Sequence, residues 1–197
     1  MNEYRAYLSR LKELVATEVV PKMAIFDYFT DHIYRRDAEP TQVEPLMVYL
    51  QSALTSDLTF SIFRLYDRKG GHNIYHFLKH TRTYLSSIDW KHPLTLEDLA
   101  KQEQQLHQLE PLVTKLKERR NKLFGHYDRK YFYEPDQLDV DLAFSNEDAK
   151  SLVRLLQAIL ADHSRALVGT ASISIDGFIY LAAERMYEKL RAAPIRI

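Results

Sequence analysis

The chain has no cysteine. That excludes disulfides, thiolate zinc sites and cysteine nucleophiles, and it fits a reducing compartment. Breakers are scarce too, with five glycines and seven prolines in 197 residues. So few turn residues favour long helices over a strand-rich fold. No apolar run approaches the ~18 residues that a bilayer span requires. Net charge is absent, because 27 basic residues balance 27 acidic ones. Overall charge therefore offers nothing to nucleic acid, and such a partner must be met by a local patch. The opening Met1-Asn2-Glu3-Tyr4-Arg5 has no basic region ahead of an apolar core. No signal peptide is expected, and a cytoplasmic protein without a membrane partner is.

What is present reads as helix. Tyr4, Leu8, Leu11, Val15 and Val19 recur at helical spacing, and Ile25, Phe26, Phe29 and Ile33 restart the stripe after Pro21, where a break or kink is expected. Asp37 to Thr41 reads as a loop. A second helix runs through Leu46, Leu50, Leu54, Leu58, Ile62 and Leu65 to Lys69-Gly70-Gly71, where paired glycines permit a left-handed cap. A short helix covers Asn73 to Leu85. Thr95 with Asp98 forms a capping-box pattern ahead of Leu99, Leu106, Leu109, Val113, Leu116 and Leu123, with a kink expected at Pro111. Tyr131 to Phe144 reads as a loop or a small hairpin. Ser145 with Asp148 opens a helix that Gly169 closes, and a last helix covers Asp176 to Ala192. The expectation is one all-α domain over residues 1–197, a bundle of about six helices.

The charge balance changes between Lys115 and Lys130. Lys115, Lys117, Arg119, Arg120, Lys122, Arg129 and Lys130 are opposed only by Glu118 and Asp128. Cations at a helix C-terminus are favoured by the helix dipole, which is one explanation. Three further features suggest chemistry. His126 can exchange a proton near neutral pH. Arg119 and Arg120 carry planar, permanently charged forks that match phosphate. Gly125 removes a side chain beside the histidine. Together these are parts of a metal-free phosphodiester site, with no cofactor or metal required. Such a site needs the substrate's own nucleophile, which RNA supplies in its 2′-hydroxyl.

His72, His76 and His80 fall at i, i+4 and i+8 and could share a metal, but no Glu-x-x-His motif accompanies them. A solvated or packed face is the expectation there. Tyr127, Tyr131 and Tyr133 flank the basic segment; they either stack on bases or pack against helices.

Arg120-Asn121 followed by His126 resembles the arginine, polar residue, spacer, histidine motif of HEPN-domain proteins. Asn121-Lys122-Leu123-Phe124-Gly125-His126-Tyr127-Asp128 resembles the form in their bacterial abortive-infection U-type branch, where alanine is usual at Gly125. Ser61-Ile62-Phe63-Arg64-Leu65-Tyr66-Asp67 is similar to a second segment of that branch. The resemblance implies an all-α homodimer that brings two Arg/His sets together across a two-fold axis. It further implies metal-independent RNA cleavage in a defence or toxin–antitoxin system, with an antitoxin protein as a candidate partner. Many HEPN proteins are inactive binding modules, so a silent dimer that binds RNA or protein is the alternative. Some HEPN toxins carry a modified tyrosine two residues after the histidine; Asp128 stands there in this chain.

The expected site thus comprises Arg120, Asn121 and His126 as catalytic residues, with Arg119, Lys122, Tyr127, Arg129 and Lys130 as RNA contacts. One ambiguity is geometric. On an α-helix Arg119 lies almost below His126, two turns earlier, whereas Arg120 sits about a third of the way round. The motif names Arg120, and a distorted last turn at Gly125 would reconcile the two. Arg64 and Asp67 are spaced for a local ion pair at i, i+3; on the resemblance, Arg64 would instead support the cleft.

Overall fold

The computed structural model describes residues 2–30, 46–125, 129–134, 137–171 and 176–192. Every regular element among the described residues is helical. Among the described residues, six long rods carry the fold, and two one-turn helices lie between the fourth and the fifth. The first rod joins α1 (Asn2–Leu14), a π turn (Val15–Val19) and α2 (Val20–Phe29). Next come α3 (Leu46–Tyr66) and α4 (Ile74–Tyr84). The fourth rod is α5 (Leu96–Gln108), α6 (Glu110–Arg119) and a second π turn (Arg120–Gly125). The short helices are α7 (Arg129–Tyr133) and α8 (Gln137–Asp141). Two long helices follow, α9 (Asn146–Val168) and α10 (Asp176–Ala192).

Sequence cues place most of these ends. Both capping boxes form: Thr95 Oγ1 accepts from Asp98 N at 3.1 Å, and Ser145 Oγ from Asp148 N at 3.1 Å, each reciprocated by the aspartate. Gly169 closes α9 at φ +84°, the left-handed conformation that glycine adopts without a Cβ clash. Pro111 sits in the first turn of α6, and the chain bends just before it at Leu109. Proline is favoured there because its missing N–H would have no helical partner anyway.

Pro21 produces a widened turn instead of a break. Its ring would crowd the carbonyl of Thr17 in an α-helix. Thr17 lies inside the Val15–Val19 π turn, where Val20 N donates to Val15 O, five residues back. The wider turn accommodates the ring and keeps the rod continuous.

Three expectations change. The second helix stops at Tyr66, and neither Gly70 nor Gly71 takes a positive φ. Asn73 replaces the glycine cap: its Nδ2 donates to Asp67 O and Gly70 O, both at 2.8 Å, and its Oδ1 caps α4 by accepting from His76 N at 3.0 Å. The segment from Tyr131 to Phe144 is no hairpin; it holds the end of α7 and all of α8. Leu50, expected in the apolar stripe, is exposed. Ile33 and the Asp37–Thr41 loop lie outside the described residues.

The core gathers on α9. Leu152, Leu156, Ile159 and Leu160 meet Tyr4, Leu8 and Leu11 of α1, Ile62 and Tyr66 of α3, Phe77 of α4 and Leu99 and Leu106 of α5. Inside it, His163 is fully buried between Tyr4 Oη, 2.8 Å from Nδ1, and Gln102 Oε1, 2.9 Å from Nε2. The consistent neutral tautomer donates from Nε2 to Gln102 and accepts from the Tyr4 hydroxyl at Nδ1. Burial holds its pKa down at about 4. No described helix is long and apolar enough to cross a membrane.

Candidate active site at the basic turn

The cationic segment sits where α6 ends. The exposed Lys115 and Lys117 lie on α6, and the helix widens into its π turn at Arg120. Turns of this kind inside α-helices occur often at functional sites. Here it alters the rotation per residue over Arg120–Gly125, so α-helical spacing does not hold across those residues.

The two arginines have different surroundings. Arg119 donates from Nη1 to Leu142 O at 2.8 Å, tying the end of α6 to the chain after α8. Arg120 lies against α3. Its guanidinium carbon is 4.6 Å from the Phe63 ring centroid and 5.9 Å from that of Phe60. The Nε of Arg120 is buried and, among the described residues, has no hydrogen-bond partner. Among the described residues no carboxylate pairs with it.

The remaining cations lie on the π turn and on α7. Asn121 is exposed. Lys122 Nζ is 5.2 Å from the Tyr131 ring centroid, and Lys130 Nζ is 5.4 Å from the same ring. Lys130 also pairs with Asp141 of α8, to which Tyr131 Oη donates at 2.9 Å. Hydrogen bonds from Lys130, then Gln137 and Tyr131, hold the Asp141 carboxyl down at about 2. Arg129 is exposed on α7. The expected His126 and Tyr127, and Asp128 with them, lie outside the described residues.

The family model for AbiU2, a HEPN family, matches residues 2–186. The chain belongs to the AbiU2 family. No curated protein and no solved structure matches it. Both segments that carried the HEPN resemblance fall inside the matched AbiU2 range, and the structure packs them together: Phe63 comes from the first and Arg120 from the second.

Other expected residues are redistributed in this AbiU2 chain. Arg64 does not pair with Asp67. It reaches Glu18 of the first π turn, Nη2 to Oε2 at 2.9 Å, while Asp67 accepts from Lys69 N. His72 lies edge-on to Tyr7, His76 Nδ1 meets Gly71 O at 3.0 Å, and His80 stacks near Tyr4 and Tyr84. Among the described residues no three histidines or carboxylates converge on one point. Tyr131 is buried at 7% exposure and engaged by Asp141, so it is no base-stacking platform. Tyr133 is 73% exposed, and the neighbouring Phe132 is 60% exposed. Phe132 escaped notice in the sequence, where attention to tyrosines hid it.

A pocket of about 320 Å³ lies elsewhere, floored by Val20, Met23, Ala24 and Val153 and rimmed by Asp27, Lys150 and Arg154. Its lysine is already paired with Asp27 at 3.0 Å and Glu147 at 3.1 Å.

Proposed function

We propose that this protein is a metal-independent endoribonuclease of a defence or toxin–antitoxin system, acting in the cytoplasm as a homodimer. The observation that carries the reading is Arg120. A planar, permanently charged group rests on aromatic rings at the start of the motif turn, and no described carboxylate neutralises it. Arginine placed in that way suits the charge that builds on phosphoryl oxygens. Membership of the AbiU2 family supports the defence setting.

In this mechanism the RNA 2′-hydroxyl attacks the adjacent phosphorus. His126 takes the hydroxyl proton. The bond to the 5′-oxygen breaks, leaving a 2′,3′-cyclic phosphate and a free 5′-hydroxyl once a proton returns to the leaving oxygen. Arg120 holds the phosphoryl oxygens, and Asn121 orients the RNA or one of the two partners. Arg119, Lys122, Arg129, Lys130 and Tyr127 bind the flanking strand. A single Arg/His set grips a phosphate weakly, so a two-fold axis near His126 that pairs two sets completes the cleft. An isologous dimer is the commonest arrangement for soluble oligomers.

The test is single-turnover cleavage of RNA by wild type and His126→Ala, with chelator present, beside a binding titration. Loss of cleavage with binding retained supports the reading. Equal cleavage by the two proteins sinks it. RNA binding without cleavage by either would leave a silent binding module. A monomer in light scattering at micromolar concentration would remove the composite cleft.

A further inference from the structure

We propose that Phe63, assisted by Phe60, is a positioning residue: it holds the Arg120 guanidinium flat so that its hydrogen-bonding edge and its full charge face the scissile phosphate. This rests on the endoribonuclease reading above and gives a role to the α3 segment, which that reading leaves without one.

Phe60 and Phe63 are three apart on α3 and so present their rings on one helical face. Phe63 is 5% exposed and anchored in the core, whereas Phe60 is half-buried at its edge. Their rings take Arg120 at 4.6 Å and 5.9 Å. An arginine has several rotatable bonds, and a freely rotating one would have to be ordered by the substrate during the reaction. Contact with an aromatic face orders it beforehand.

The other arginines show what purely structural anchoring looks like here. Arg64 is held by Glu18 and Arg82 by Glu103. Arg68 also lies on a ring, Tyr75 at 4.3 Å, yet it adds Glu110 at 2.8 Å. A carboxylate fixes an arginine but cancels its charge, and a phosphate must then displace it. Rings fix the same group without competing for its donors. Arg120 has the rings and, among the described residues, no carboxylate. Its Nε is buried and, among the described residues, without an acceptor, a cost in stability that a merely structural contact gives no reason to keep.

The experiment pairs Phe63→Leu and Phe63→Tyr in the full-length protein. Both are scored by single-turnover cleavage at saturating protein, by RNA affinity, and by melting temperature. Phe63→Leu is expected to slow cleavage about tenfold with RNA affinity within about twofold of wild type, and Phe63→Tyr to recover most of the rate. Phe60→Leu, at the half-buried edge, should fold normally and slow cleavage about threefold. It keeps the question open to decision if Phe63→Leu does not fold. In an Arg120→Ala background neither leucine variant should slow cleavage further. A folded Phe63→Leu that cleaves at the wild-type rate overturns the proposal, as does one that loses affinity and rate equally. An independent readout is the NMR resonance of the Arg120 Nε–H, expected at a ring-current-shifted position in wild type and displaced in Phe63→Leu. If the wild type cleaves no RNA, the endoribonuclease reading fails by itself. The resonance then decides alone whether Phe63 holds Arg120, and a resonance unmoved by Phe63→Leu overturns that contact.

Discussion

Two basic side chains of this protein live under opposite conditions. His163 lies in the core of the bundle with a partner at each ring nitrogen. Arg120 lies at the end of α6 on two phenyl rings, and among the described residues its Nε has no partner. A buried polar group with every hydrogen bond made stabilises one arrangement of the helices around it. A cation left unsatisfied is costly to folding and available to something else. The contrast separates a group that holds the shape of the bundle from one that folding leaves unsatisfied.

The sharpest way to break the comparison is to remove the reactive end. His126→Ala should lower the single-turnover rate by ~10²–10⁴ while RNA affinity stays near wild type. Arg120→Ala should lower the rate on a similar scale and weaken binding as well. Melting temperatures of both variants should stay close to wild type. A large fall in either would move that residue to the structural side of the contrast.

The next effect belongs to the interior. His163 carries a folded-state pKa of about 4 against an ordinary value near 6.5. Between those values the unfolded chain binds more protons than the folded one, so stability falls as pH drops from about 6.5 through 4. The full loss is on the order of 3 kcal/mol. Thermal melts from pH 7 to pH 4 should show it, and His163→Gln should flatten that window. An unchanged slope in the variant would mean that other groups control acid sensitivity.

Smaller effects are expected from the exposed lysines. Replacing Lys115 and Lys117 together should weaken RNA binding and reduce its salt slope by roughly two, leaving the rate at saturating protein unchanged. The smallest expected change is none: cleavage should persist in EDTA. His72 and His80 both lie edge-on to Tyr7, and His76 meets Gly71 O. A chelator-sensitive activity restored by a divalent ion would return attention to them.

Much of the scaffold was readable before any coordinates. The stripe through Tyr4, Leu8, Leu11, Val15 and Val19 is buried throughout, and the two capping boxes start their helices where serine or threonine precedes aspartate by three. Such signals are local, so the sequence carries them. What it concealed depends on distant parts of the chain. Arg64 has Asp67 within reach, but its partner is 46 residues away. His163 continues the stripe of Leu156, Ile159 and Leu160. Only the folded bundle shows that Tyr4 and Gln102 meet it there. At the site, the motif named Arg120 while the helical wheel favoured Arg119. The structure gives Arg119 to a backbone carbonyl and Arg120 to the rings of α3. The sequence assigns Phe60 no role and Phe63 only a place in the Ser61–Asp67 segment, because the cation they meet is on another helix.

The second π turn has a consequence for how the family varies. A π turn amounts to an α-helix that has absorbed one extra residue. Deleting one residue from Arg120–Gly125 would let the helix return to α-geometry. Everything beyond it would then swing by about 100° relative to α6. The length of the Arg120–Gly125 turn is thus a rotational setting, and one residue more or fewer there would change the angle at which the chain leaves α6.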